Sequence, residues 1–409
     1  MLSRYVAAAV LFLATTWTLQ AQEAIPAAAA RIKAPDGVTR IPFELANNRI
    51  YVEGQIDSRP ARFLVDTGGI NVLTPAAAQR LGLKVESNAA AGEGRADRGL
   101  ARASEVRVRA ATLAKPVFSI VDLGDLERIE GVPFDGVLGY EMFRHFGVQI
   151  DYRDRVLILT ESDRFAAPAG ATMIPFELQE RTPIVSARLD GMTVRLAIDT
   201  AARDTLTLHS PFVRENDLIA RYRAAPESVT GWSAEGASRG RPARLGALEL
   251  GNRRIDRIAG TLFVGDKGEF ASPSVSATLG GGALRRFTVV FNFSGRRMYL
   301  LPNTDFGKPD SFDRSGLWLM ADPGADQGTE HGALQVMDVA AESAAARADL
   351  RVGDRIVAIG GESIAKRSLA DWRAELREQP AGTKLPIKYE RAGQPAETVL
   401  QLADRIPAR

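Results

Sequence analysis

"RFLVDTGG", residues 62–69, and "RLAIDTAA", residues 195–202, are two copies of one pattern. In each, an apolar run meets an aspartate, then a threonine, then two small residues. Such a run reads as a strand that stops at a tight turn and presents a carboxylate there. Asp66 and Asp199 are 133 residues apart, and so are two copies of "IPFEL", at 41–45 and 174–178. The register from IPFEL to the aspartate therefore needs no insertion or deletion.

The repetition continues downstream. "INVLTPAAAQRLGL" follows Asp66, with Thr74 placed to cap a helix and Pro75 at its first position. "DTLTLHSPFVREN" follows Asp199, with Ser210 and Pro211 in the same roles. Then "GVLGYEMFRHFGVQIDYRDRVLIL" (136–159) aligns without gaps on "ATLGGGALRRFTVVFNFSGRRMYL" (277–300). Each of these reads as a short helix followed by a hairpin of alternating apolar residues, turning near Asp154 and Gly295. Four matched elements in one order imply two homologous, strand-rich lobes, 37–162 and 170–302, related by a pseudo-twofold axis.

If Asp66 and Asp199 meet near that axis, their carboxylates cannot both ionise easily and will share a proton. The ionised member can then draw a proton from water, and the protonated one can donate to a carbonyl under attack. Thr67 and Thr200 are placed to brace the two turns across the axis. Gly68 lets the first backbone turn sharply beside a substrate; Ala201 stands at that place in the second lobe.

With these residues on the page, the chain resembles the pepsin/retropepsin-type aspartic proteases, and in particular exported bacterial members with two retropepsin-like lobes in one chain. The resemblance rests on Asp66-Thr67-Gly68, Asp199-Thr200-Ala201, and a downstream apolar-apolar-Gly element in each lobe, Val137-Leu138-Gly139 and Thr278-Leu279-Gly280. It implies a mainly β, bilobed acid-protease fold. It also implies a catalytic dyad of Asp66 and Asp199, supported by Thr67, Gly68, Thr200 and Ala201, with a polypeptide substrate and neither metal nor cofactor. Ala201 departs from the family's glycine and sets a question for the structure. Gly69 and Ala202 lack the hydroxyl that goes with an acidic working pH in this family, which implies an optimum nearer neutral. Such an enzyme also needs a flap; the candidates are 89–99 and 230–236, the latter carrying Trp232. The competing reading is a non-catalytic peptide-binding or adaptor protein with a degenerate cleft.

After Pro302 the pattern stops. "NTDFGKPDSFDRSG" is a polar, turn-rich linker, and 315–405 shares nothing visible with the lobes. "DLRVGDRIVAIGG" (349–361), with the strands and helices around it, resembles a PDZ domain, a small α/β fold that adds an extended peptide to a sheet edge. The peptide-binding loop would be Gly316-Leu317-Trp318-Leu319, the groove lying between strand 318–322 and helix 368–378. Trp318 in place of a glycine argues against carboxylate capture. A PDZ domain that only docks on the lobes is the alternative.

At the N-terminus, Arg4, an uncharged and mostly apolar stretch from Tyr5 to Leu19, and small residues through Ala21 have the layout of a secretory signal peptide, 1–21. An uncleaved anchor is the alternative, with a core short for a span. Export to the periplasm, with no integral membrane segment after cleavage, is the expectation. The chain has no cysteine, which removes disulfides, thiol nucleophiles and thiolate metal sites. Lys+Arg number 52 against 50 Asp+Glu, a balance that points away from nucleic acid. "GASRG" (236–240) matches a nucleophile elbow by letters alone, without the strand before it or the helix after it. The three histidines, His145, His209 and His331, show neither triad nor metal spacing.

Overall fold

The computed structural model describes residues 30–86, 97–233, 236–322 and 332–406. Four sheets organise them: an 11-stranded sheet in the first lobe, a 10-stranded sheet in the second, a six-stranded sheet between the lobes, and a six-stranded C-terminal sheet. No helix among the described residues is long and apolar enough to cross a membrane.

The interlobe sheet shows where the pseudo-axis passes. Strand Phe146–Asp151 runs antiparallel to its repeat equivalent, Phe287–Asn292. Val148 pairs with Phe291, Gln149 with Val290, and Ile150 with Val289. Gln149 and Val290 are equivalent by the repeat, so the axis runs through that pair. The first IPFEL copy contributes strand Val38–Pro42 to one edge of this sheet, and the second contributes Thr172–Pro175 to the other. Alternation decides which side chains go inward: Val148, Ile150, Val289 and Phe291 are buried beneath both lobes. Phe143, from the helix Tyr140–His145, meets Phe291 edge-on at 5.6 Å and Phe293 at 5.3 Å. One continuous apolar core therefore serves the two lobes.

Within each lobe the aspartate-bearing strand is sandwiched. Arg59–Val65 pairs in parallel with Gly136–Leu138, and Met192–Ile198 pairs in parallel with Ala277–Leu279. The short helices after the aspartate turns form in both lobes. Thr74 caps Pro75–Arg80 by accepting from the Ala77 N–H at 3.1 Å. In the second lobe the cap falls one residue earlier than the sequence suggested. His209 has the extended cap conformation and Ser210 is the first helical residue, so no side-chain oxygen caps Ser210–Glu215.

The segment after Pro302 is fastened rather than loose. Asp310 is buried, pairs with Arg286 at 3.1 Å and accepts from the Ala259 N–H. Beyond it, the C-terminal sheet folds on its own core. Its helix Leu369–Glu378 opens on a complete capping box, with Ser368 and Asp371 each accepting from the other's backbone N–H. Trp372 is buried beneath it and donates to Ile364 O at 3.0 Å.

Phe143→Ala should lower unfolding free energy by about 3–5 kcal/mol, because it removes an aromatic ring from the interlobe core. Chemical denaturation would read it, with both lobes losing stability in one transition.

Candidate functional site

The two Asp-Thr turns face each other with near-exact reciprocity. Thr67 N–H donates to Thr200 Oγ1 at 3.0 Å, and Thr200 N–H donates to Thr67 Oγ1 at 3.1 Å. Each hydroxyl then donates onward to the opposite strand: Thr67 to Ile198 O at 2.7 Å, and Thr200 to Val65 O at 2.9 Å. Both threonines are wholly buried. Four mutually satisfied bonds in a dry place make a stiff link, since any one broken would leave a buried polar group unpaired.

The link extends outward by a second reciprocal pair that the sequence reading missed. Thr182 donates to Gly68 O at 2.9 Å, and Arg49 Nε donates to Ala201 O at 2.5 Å. Thr182 and Arg49 are also 133 residues apart. Each follows a two-residue left-handed hairpin turn, Asn47-Asn48 in one lobe and Glu180-Arg181 in the other. The apolar-apolar-Gly elements close the site from below. Tyr140 N–H donates to Gly69 O and Gly281 N–H to Ala202 O. A Cβ on Gly139 would stand 2.2 Å from Gly69 O, so this approach requires glycine.

Asp66 and Asp199 sit within this frame, buried and side by side beneath Gly68, each acting on the other's charge. Gly68 N–H donates to Asp66 Oδ1 at 2.6 Å; Ala201 N–H donates to Asp199 Oδ1 at 2.7 Å. Alanine therefore does in the second turn what glycine does in the first. Ala201 keeps a negative φ. At the equivalent position a Cβ on Gly68 would meet Asp66 Oδ1 at 3.4 Å and Asp199 Cγ at 3.5 Å, which is ordinary contact.

The two carboxyls are not electrically equivalent. Burial and then the charge of Asp199 hold Asp66 well above the usual carboxyl range. Burial also raises Asp199, but the Ala201 and Ala202 N–H groups and the nearby Arg49 guanidinium work against it. Both carboxyls are thus raised and the pair shares one proton, with more donors gathered around Asp199 than around Asp66.

Over the pair opens a cleft of about 700 Å³. The second-lobe flap candidate is a hairpin, Ser228–Ser233 with Gly236–Arg244, and Trp232 lines the cleft half-buried. The first-lobe candidate, 89–99, falls almost entirely outside the described residues. Asp204, Glu227, Asp266 and Glu269 add further carboxyls to the cleft, and nothing in the repeat pointed to Glu269. Although the residue is exposed to the cleft, desolvation and then Asp199 push it up to about 7. His209 is no base for this site: burial pushes it down to about 4, and its Nε2 lies 3.0 Å from Thr278 Oγ1. His145 lies on the helix behind Gly139, near Glu141.

The C-terminal loop Gly316-Leu317-Trp318-Leu319 faces the lobes, not solvent. Trp318 is buried, with the Arg203 guanidinium 4.7 Å above its ring. Asp313 accepts from the N–H groups of Ser315 and Gly316, and Ser315 Oγ accepts from Leu317 N–H. The first two amides of the loop, on Gly316 and Leu317, are thus already engaged.

A mainly β, bilobed acid-protease fold with two facing Asp-Thr turns, joined to a PDZ-like sheet and helix, is the class this architecture defines. Comparison with known proteins gives the same two parts: a family model described as aspartyl protease matches residues 52–142, and one described as PDZ domain matches 335–391. The chain therefore carries an aspartyl protease domain and a C-terminal PDZ domain. Among solved structures, basic 7S globulin from soybean aligns with 13% identity over 65% of this chain and 95% of its own, at a TM-score of 0.38, a likeness that carries no further inference. No curated protein matches the chain.

Two substitutions test the frame. Thr67→Ala should cost about 1–3 kcal/mol, and Thr200→Ala on that background should cost much less than it does alone, since the two share their bonds. A double-mutant cycle by denaturant unfolding measures the difference. Arg49→Met should cost about 3–5 kcal/mol, because it strips the buried Glu130 of its 2.8 Å partner.

Proposed function

We propose that this chain is an exported aspartic endopeptidase, hydrolysing peptide bonds with Asp66 and Asp199 as a water-activating dyad. The observation that carries the reading is the pair of buried, neighbouring carboxyls held by reciprocal turns, both with ionisation shifted upward. Charged Asp199 takes a proton from a water that attacks the scissile carbonyl carbon. Asp66 gives its proton to the carbonyl oxygen, and a tetrahedral diol results. Asp199 then passes its proton to the departing nitrogen, Asp66 recovers one from the diol, and the C–N bond breaks. No covalent intermediate with the protein forms. The hairpin with Trp232 would close over the peptide and exclude water. The N-terminal stretch supports passage across the inner membrane, and the PDZ domain supports binding of a peptide or partner.

The test is cleavage of an unfolded protein by the full chain. Asp66→Asn and Asp199→Asn should each abolish it, a loss of at least about a thousandfold. Equal cleavage by wild type and both variants would end the reading, and no cleavage by any would favour the adaptor.

The pH profile follows from the same electrostatics. Activity requires the pair to hold one proton between them, so the acid and alkaline limbs report the lower and higher apparent pKa of the dyad. Both are raised, so the rate should peak above about pH 4, the ordinary carboxyl range. Glu269 adds to the upward push on Asp66. Glu269→Gln should therefore move the alkaline limb to lower pH, which kcat/KM across pH would show.

A further inference from the structure

The peptide groove of the PDZ domain is already filled. Its edge strand, Leu317–Ala321, pairs on one side with Leu334–Val339 and, among the described residues, has no strand on the other. A peptide adding to that free edge would use its alternate carbonyls. Two of them are taken. Arg373, from the helix Leu369–Glu378 that forms the other wall, donates to Leu319 O at 2.7 Å. Arg128, from the first lobe's helix Leu126–Glu130, donates to Ala321 O at 3.2 Å. Next to Arg128, Ile129 packs in one apolar cluster with Trp318 and Met320. Gly131 ends the helix at φ +68° and lies so close to the far wall that an added Cβ would stand 2.7 Å from Leu369 Cβ. A short helix of the protease lobe thus touches both walls.

The same helix reaches the dyad from its other side. Glu130 is buried and pairs with Arg49 at 2.8 Å. Arg49 in turn donates to Ala201 O, on the turn that holds Asp199. The PDZ domain also grips the flap: Asp338 accepts from Val229 N–H at 2.8 Å and pairs with Arg239 at 3.1 Å.

We propose that the PDZ groove works in cis, with helix Leu126–Glu130 as its ligand, and that this docking positions the Asp199 turn through Glu130 and Arg49. An extended peptide that took the groove would have to displace the helix and would release that brace. The tether gives the resident helix a high effective concentration, so only a peptide that pairs well along Leu317–Ala321 can compete. Asp313 and Ser315 already hold the Gly316 and Leu317 amides, so the competitor is an internal extended segment and needs no free C-terminal carboxylate. The regulatory half of this proposal rests on the protease reading above; the docking half does not.

The experiment uses the full chain, with hydrogen exchange of residues 126–131 and 317–321 read beside cleavage kinetics and their pH profile. Gly131→Val, which drives a side chain into Leu369, should strip protection from both segments together. It should lower kcat by about ten- to a hundredfold with little change in KM, as misplacement of a catalytic group does. Arg128→Ala is the milder variant, should Gly131→Val fail to fold, and should act in the same direction; Arg128→Lys should restore part of both readouts. Glu130→Gln should keep both segments protected and still lower kcat. Unchanged protection in both Gly131→Val and Arg128→Ala would overturn the docking. Lost protection with unchanged kcat and pH profile would overturn the coupling. A wild type that cleaves nothing would instead sink the protease reading, and exchange would still decide the docking.

Discussion

The exchange of hydrogen bonds between Thr67 and Thr200 is the constraint on which the rest depends. Each hydroxyl accepts from the other's backbone and donates to the strand behind it. Neither lobe can satisfy its own turn; each needs the other within a few tenths of an ångström. The interlobe sheet delivers that precision from beneath, since pairing of Val148 with Phe291 and Ile150 with Val289 permits one register only. The aspartates are aligned because two layers of directional bonds, one above and one below, agree about the axis.

Onto this near-symmetric frame the electrostatics impose a direction. Asp199 receives two backbone N–H groups and lies near a guanidinium, while Asp66 receives one N–H and faces the negative side of its partner and of Glu269. Arg49 keeps its charge in a dry place because Glu130 is beside it, and Glu130 keeps its own because Arg49, Arg203 and Asn47 surround it. Buried charges of this kind are tolerated only as a complete set. The wholly buried Glu130, far from the dyad in sequence, is therefore part of the set of charges that surrounds the Asp199 turn.

Much of this was legible in the chain itself. The offset of 133 residues located both aspartates, both threonines and the strands beneath them, because a repeat without gaps preserves geometry as well as sequence. The same offset relates Arg49 to Thr182, yet an arginine and a threonine do not look alike. Only the structure reveals that each holds the opposite turn's carbonyl. The concern over Ala201 came from the crowding expected of a turn, and the room around Gly68 removes it. Glu269 opens a single 3-10 turn, Glu269–Ala271, between repeated elements, where no periodicity marks it. The fit of Ile129 against Trp318 joins segments 189 residues apart that share no pattern, and such contacts are written in shape alone.

Two lobes in one chain have a consequence for how an acid pair can divide its labour. In an assembly of two identical halves every residue appears twice, so nothing in the protein can mark one aspartate as donor and the other as base before a substrate arrives. Here Gly69 faces Ala202, Thr182 faces Arg49, and a PDZ domain leans on one side only. The two halves of this chain have varied separately, so its cleft has a left and a right before anything enters it.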